Sequence, residues 1–397
     1  MPVRWLMLLI LFLVRISMGY QFQSVASLSP QLVKDLGFTY TEVGTLVGFY
    51  LLPGIFFAIP SGLMTRAATD KKLLILGAVV MIVGAMIMGF ATSHAGLYIG
   101  RLITGIGGTI FSIILTKMVT EWFYDKEIIT ALSIMLAAWP LGIALGLLSQ
   151  GVIAGRYGLA TTFHATAEVV AAGLILVVLF YRDTTRAAVA VNQPMRFSIP
   201  MRQFVHTSVL AVAWTLFNAV IIIMVSFAPD ALIAAGQPGN SAHSVTSLMM
   251  WAAMVSVPLG GRVIEMFGYV TLSIVCTLLL SVAAIIAISQ GLAPEISFLA
   301  LGIVFGIPAG AIMSLTAETM TAEHRGPALG IFYTWYYTGM TLAPALAGWT
   351  RDASGQVIAP ILLAAVMTAI VLLAIGLLRL LQNVWKIETF SSSLKSI

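Results

Sequence analysis

Long, almost uninterrupted apolar runs, such as residues 73–91 and 361–381, constrain this chain more than any other feature. An α-helix rises about 1.5 Å per residue, so roughly 20 apolar residues cover the ~30 Å hydrocarbon core of a bilayer. A membrane barrel would instead show segments of about ten residues alternating apolar with polar, and these runs are apolar all round. Composition agrees. Hydrophobic residues make up 60% and charged residues 9%, against roughly 45–50% and about 25% in soluble domains. The mean hydropathy is +1.02. With lipid as solvent, backbone groups must be paired inside each segment, so the expected class is all-α integral membrane protein.

Twelve stretches qualify as spans: 4–28, 42–64, 73–92, 96–119, 128–153 and 161–181, then 205–228, 243–264, 270–289, 296–319, 327–348 and 358–381. The opening stretch has the look of a signal peptide but runs on without a small-residue cleavage site, so it is read as the first span. Residues 182–203 carry Arg182, Arg186, Arg196 and Arg202 with two prolines. The expected organisation is therefore an amino-terminal bundle over 1–181, a cytoplasmic linker over 182–203, a carboxy-terminal bundle over 204–381 and a cytoplasmic tail over 382–397. Lys and Arg near span ends are retained on the cytoplasmic side. Arg4, Arg66, Lys71, Lys72, Lys117, Lys126, the linker arginines, Arg262, Arg325, Arg379, Lys386 and Lys395 fall on one side, and only Lys34, Arg156 and Arg351 on the other. Both termini are thus expected in the cytoplasm, with the chain in a bacterial inner membrane. The net charge of +5 follows from topology, and no nucleic-acid partner is needed to explain it.

The two sets of six repeat one another. Gly62 and Gly261 close the second and eighth spans at an offset of 199 residues. Gly105 matches Gly306 at 201, and the pair Leu115, Thr116 matches Leu315, Thr316 at 200. Parallel six-span halves about an axis along the membrane normal put a binding site between them at mid-bilayer.

With these residues in hand, the chain resembles the major facilitator superfamily over essentially its whole length. Gly261, Arg262, Glu265 and Gly268 after span 8 resemble the family's G-x-L-x-D-R-x-G gate loop, in which the acid caps a neighbouring helix end. Arg101, Gly105 and Gly107 resemble its R-x-x-x-G-x-G motif in span 4, and Trp139, Pro140, Gly142 and Gly146 resemble part of the span 5 motif of its antiporter branch. The amino-terminal gate loop departs from the pattern: on the same frame as Gly62, Arg66 stands at the acidic place and Asp70 at the basic one. The glycine doublets of nitrate porters are missing from spans 5 and 11. The resemblance implies two rocking halves, a cavity lined by span 1 and no cofactor.

An ionisable group at mid-membrane normally faces an aqueous cavity or a partner. Arg15, near the centre of span 1 with Gly19, Phe22 and Gln23 following on its face, is the leading candidate to bind a carboxylate or similar anion, since a guanidinium stays charged and offers a fork of five donors. Pairing to a carboxylate or to carbonyls is the plainer alternative. Arg101 is a second intramembrane base, with a role in proton coupling, snorkelling or packing. Glu168 in span 6 is expected to be the one carboxylate well inside a span, as a static partner for Arg101 or a proton carrier. Tyr50, Trp139, Trp214, Asn218, Tyr333, Trp335, Tyr336 and Tyr337 complete a candidate pocket with Gln23. The scattered histidines offer no metal site.

No G-x-S-x-G, H-E-x-x-H or G-x-x-x-x-G-K motif is present, which disfavours a membrane-embedded enzyme or a nucleotide-driven pump. A solute sensor is disfavoured by the short tail. The expectation is a secondary transporter, not an enzyme, acting as a monomer on a small organic or inorganic anion with protons or another coupling ion. The alternative is a proton-coupled exporter of hydrophobic or cationic compounds.

Overall fold

The computed structural model describes residues 3–57, 68–123, 127–182, 199–321 and 324–385, and these are all helix, turn or coil. Ten helices are long and apolar enough to cross a membrane. One of them, Ile128–Phe180, holds two spans: Gly158 has φ 85° and ψ 172°, which breaks the helix between span 5 and span 6. Span 11 is the aromatic-rich helix Arg325–Ser354, which brings the total to twelve.

Most span ends fall within about four residues of where the apolar pattern put them; spans 7 and 11 run on past 228 and 348 to Ala234 and Ser354, and two further departures have local causes. Span 2 begins at Tyr40, where Thr39 and Glu42 form a reciprocal capping box, and the helix stops at Phe49 before Pro53. Proline has no N–H to donate, and the N–H groups of Leu51 and Leu52 turn back to Gly48 O at 2.8 and 3.1 Å. Span 8 runs further than expected. Gly261 and Arg262 sit in its last turns, and the helix ends at Phe267 with Gly268 in the left-handed conformation (φ 73°) that glycine tolerates best. The stretch expected to be a gate loop is thus mostly helix.

The packing repeats with the sequence. Span 3 lies against spans 4 and 6, and span 9 against spans 10 and 12; span 1 lies against the helix holding spans 5 and 6, and span 7 against spans 11 and 12. Span 2 crosses to span 11, and the span 5–6 helix to span 8. Those two crossings are images of each other under the offset of 199 residues, so they are where the halves meet. Small residues permit the approach, as is usual between membrane helices. A side chain at Gly44 or Gly48 would run into the span 11 backbone at Pro344 or Thr341. Leu179, Phe90, Leu272 and Leu373 are exposed on the outside, as lipid-facing residues should be.

Candidate functional site

Span 4 positions Arg101, which is fully buried. Its Nε donates to Leu46 O (3.0 Å), Nη1 to Gln21 O (3.3 Å) and Nη2 to Phe22 O (2.7 Å). The guanidinium carbon also lies 4.8 Å from the Tyr50 ring centroid and 5.6 Å from that of Phe22. Gly105 and Gly108 sit on the same side: a side chain at Gly105 would strike the Phe49 and Tyr50 carbonyls, and one at Gly108 the Tyr50 ring. The span 4 motif therefore docks the broken stretch of span 2. Arg101 neither snorkels nor pairs with Glu168, contrary to the static pairing expected. Glu168 is exposed and shares a helix face with Ile175 and Leu179, which are 56% and 67% exposed, so it points away from the bundle.

Arg15 is built differently. It is 8% exposed, and its buried Nε and Nη1 have no hydrogen-bond partner. No ion pair to it occurs among the described residues. Tyr337 and Tyr336 of span 11 lie within electrostatic range of it, so the guanidinium sits close to the other half. Tyr333, Tyr336 and Tyr337 form a ring cluster with centroids 5.2 to 6.4 Å apart. Gly54 of span 2 lies against the Tyr337 ring. Spans 1, 2 and 11 thus converge around one unpaired cation and three phenols.

The other candidates are distributed around this point. Trp139 packs on Phe22 at 5.1 Å, where Gly19 and Gly142 let spans 1 and 5 touch backbone to backbone. Gln23 is buried, and its Nε2 reaches Val225 O of span 7 across the halves (3.4 Å), leaving Oε1 without a partner. Asn218 turns its Nδ2 back to Trp214 O (2.8 Å), and Trp214 stacks on Phe217, which stacks on Phe305. Tyr50 is not on a cavity wall: it is 1% exposed and lies beneath Arg101. Trp335 does not join the cluster either. It is 44% exposed and shares a face with Leu342 and Leu346, exposed 61% and 43%, because two helical positions rotate it away from Tyr333 and Tyr337.

Of the gate residues, Gly62 and Arg66 lie outside the described residues, as does the Glu265 side chain. Arg262 is exposed. Asp70 is in the first turn of helix Asp70–Phe90, beside its Thr69 cap, where a helix dipole favours an anion. It binds Lys117 Nζ through both oxygens (2.7 and 2.9 Å), and Lys117 also meets Glu121 at 3.3 Å. In the amino-terminal half, an acid therefore does sit at a helix start.

A polar cluster on the opposite face escaped the sequence reading. Asp352 of span 11 accepts from Tyr40 N (3.1 Å), Thr41 N (2.7 Å) and Thr41 Oγ1 (2.5 Å), capping span 2 from the other half. Beside it, Asp230 and Arg351 form a buried pair (2.6 Å). Ser29 donates to Asp230 at 3.4 Å, and Tyr40 lies 3.3 Å under the Arg351 guanidinium. Asp230 lies in the stretch of span 7 beyond residue 228, where the apolar pattern ends the span, and is not among the candidates read from sequence. Tyr40 and Asp352 are 312 positions apart, and no local pattern joins them. This face is sealed. On the face carrying the termini, the described ion pairs, Arg4 with Glu127, Lys117 with Asp70 and Arg379 with Glu318, each stay within one half.

Twelve helices in two repeated halves, shut at one face around a central unpaired cation, describe a carrier. The sequence model of the Major Facilitator Superfamily matches residues 11–236 and 233–389, and the chain belongs to that family. It is a multi-pass membrane transporter, not an enzyme. It is 22% identical to the inner membrane transport protein YajR of Escherichia coli (strain K12), over 82% of this chain and 73% of that protein. It is 21% identical to the hexuronate transporter of Bacillus subtilis (strain 168), over 93% of each. Among solved structures, the nucleoside transporter NupG superposes with a TM-score of 0.74 at 13% identity, covering 95% of this chain and 100% of that one. A bacterial homologue of the human lysosomal transporter Spinster, in an inward-facing and occupied conformation, superposes at 0.73 and 14% identity, covering 96% and 97%. At such identities the structures establish the fold alone.

Proposed function

We propose that this transporter moves a small organic anion by alternating access, recognising its carboxylate or similar group with Arg15. The observation that carries the reading is the Arg15 guanidinium: buried, within electrostatic range of Tyr336 and Tyr337 of the opposite half, with Nε and Nη1 unpartnered. Buried N–H groups are normally paired, and a carboxylate supplies both the charge and the acceptors. The relative named as a hexuronate transporter handles a sugar acid, which fits this chemistry. With the termini and the 182–203 linker cytoplasmic, the sealed face is external and the carrier faces inward. One chain holds both halves and acts as a monomer in the inner membrane. Transport runs as symport with protons or as exchange.

The test is thermal stability of purified wild type and Arg15→Gln against small carboxylates, including D-glucuronate, inorganic anions and hydrophobic cations, because a ligand of the folded state raises apparent stability by mass action. An anion that stabilises wild type and loses its effect in the variant supports the reading. Cations that stabilise both proteins equally overturn it in favour of an exporter, a reading the tyrosine cluster alone would serve.

A further inference from the structure

The charges around Arg15 bear on how transport is coupled. A carrier that returns empty must close both faces over its vacant site, and Arg15, of which 8% is still exposed, then loses that remaining exposure without gaining a partner. Burying an unpaired charge is strongly unfavourable, whereas burying it as a pair is tolerated. Symporters can escape this when a carboxylate of their own swings onto the cation. The described residues offer no such group. Glu168 shares an exposed face with Ile175 and Leu179. Asp230 is held by Arg351 and Ser29, and Asp352 by Tyr40 and Thr41. Asp70 and Glu121 are tied to Lys117, and Glu318 to Arg379. Arg101, by contrast, carries its own compensation in three carbonyls and two ring faces.

We infer that the carrier is an exchanger of monoanions: it switches faces only when one negative charge occupies the Arg15 site, so each anion moved one way requires another moved back. The inference rests on the anion reading above and names its coupling. One cation selects one negative charge, the loaded carrier is neutral at its centre, and the exchange transfers no net charge. The empty carrier rests with one face sealed.

The experiment needs no ligand. In a Cys276→Ser background, spin labels at Asp35→Cys and Gln356→Cys report the separation of the halves at the sealed face; both positions are exposed there and belong to opposite halves. Distances are measured by double electron–electron resonance on the full chain in lipid nanodiscs without added anion. Wild type is expected to give a single short distance. Arg15→Gln removes the charge, and Tyr336→Glu installs a partner beside it. Each is expected to raise the long-distance population about ten-fold or more. Equal populations in the three proteins, whatever their size, overturn the exchange inference. Such a result leaves the Arg15-dependent anion stabilisation measured above intact, and loss of that stabilisation is what removes the anion reading.

Discussion

Arg15 and Arg101 are both buried guanidinium groups without an ion pair among the described residues, yet their donors are committed differently. Arg101 spends its fork on the carbonyls of Gln21, Phe22 and Leu46. Arg101→Lys keeps the charge but cannot present the same planar fork, and hydrogen bonds to charged groups contribute about 1.5–3 kcal/mol each. We expect this variant to lower the melting temperature whether or not an anion is present. Arg15→Gln should leave the unliganded melting temperature near that of wild type, or raise it, since the substitution removes an uncompensated buried charge. Scanning both variants with and without the stabilising anion separates the two roles. A third charged residue tests the sealed face. Arg351→Met strands Asp230 in a buried site, which typically costs about 3–5 kcal/mol. Asp230→Asn together with Arg351→Met should recover most of that loss, as a thermal melt of the three variants would show. From sequence, Arg15 and Arg101 were recognisable as unusual. Which of them was satisfied was not, because the carbonyls that occupy Arg101 come from two other spans.

The elements were legible wherever apolar length decided them and obscure wherever the chain departs from a continuous helix. The twelve stretches read from hydropathy correspond to helices because each must pair its own backbone within the bilayer. The break before Pro53 and the extension of span 8 to Phe267 follow from single proline and glycine positions that apolar length does not register, and neighbours then pack them: Arg101 and Gly105 against the first, Ile307 against Gly260 in the second. The candidate pocket was legible as a set of polar and aromatic positions. Its faces were only partly so, since Trp335 and Tyr50 turn away while Tyr336 and Tyr337 lie near Arg15. The seam between spans 2 and 11 gives a prediction at this scale. Asp352→Asn weakens a trans cap for which about 1 kcal/mol is typical, a change of roughly five-fold in an equilibrium. The label pair at Asp35 and Gln356 should report that much more of the open face in the presence of anion. Gly48→Leu should act in the same direction and more strongly, because its side chain would meet the Thr341 backbone.

At the scale of the whole molecule, the repeat offset near 200 residues anticipated the arrangement that packing displays, in which span 2 meets span 11 as span 8 meets span 5. The proposed orientation is checked by labelling intact cells with a membrane-impermeant maleimide in the Cys276→Ser background. Gln356→Cys should react and Arg202→Cys should not; reaction of Arg202→Cys alone reverses the topology and makes the sealed face internal. The segment Tyr40–Phe49 gives the two-body picture a complication. By chain continuity it belongs to the amino-terminal half, and Arg101 moors it there through Leu46 O. Its first turn, however, is gripped by Asp352, and its glycines are threaded into span 11. When the halves part, this segment must follow one of them. The unit that moves is therefore not defined by where the covalent chain divides: a single guanidinium, pulling against a carboxylate and a seam of glycines, decides the segment's allegiance.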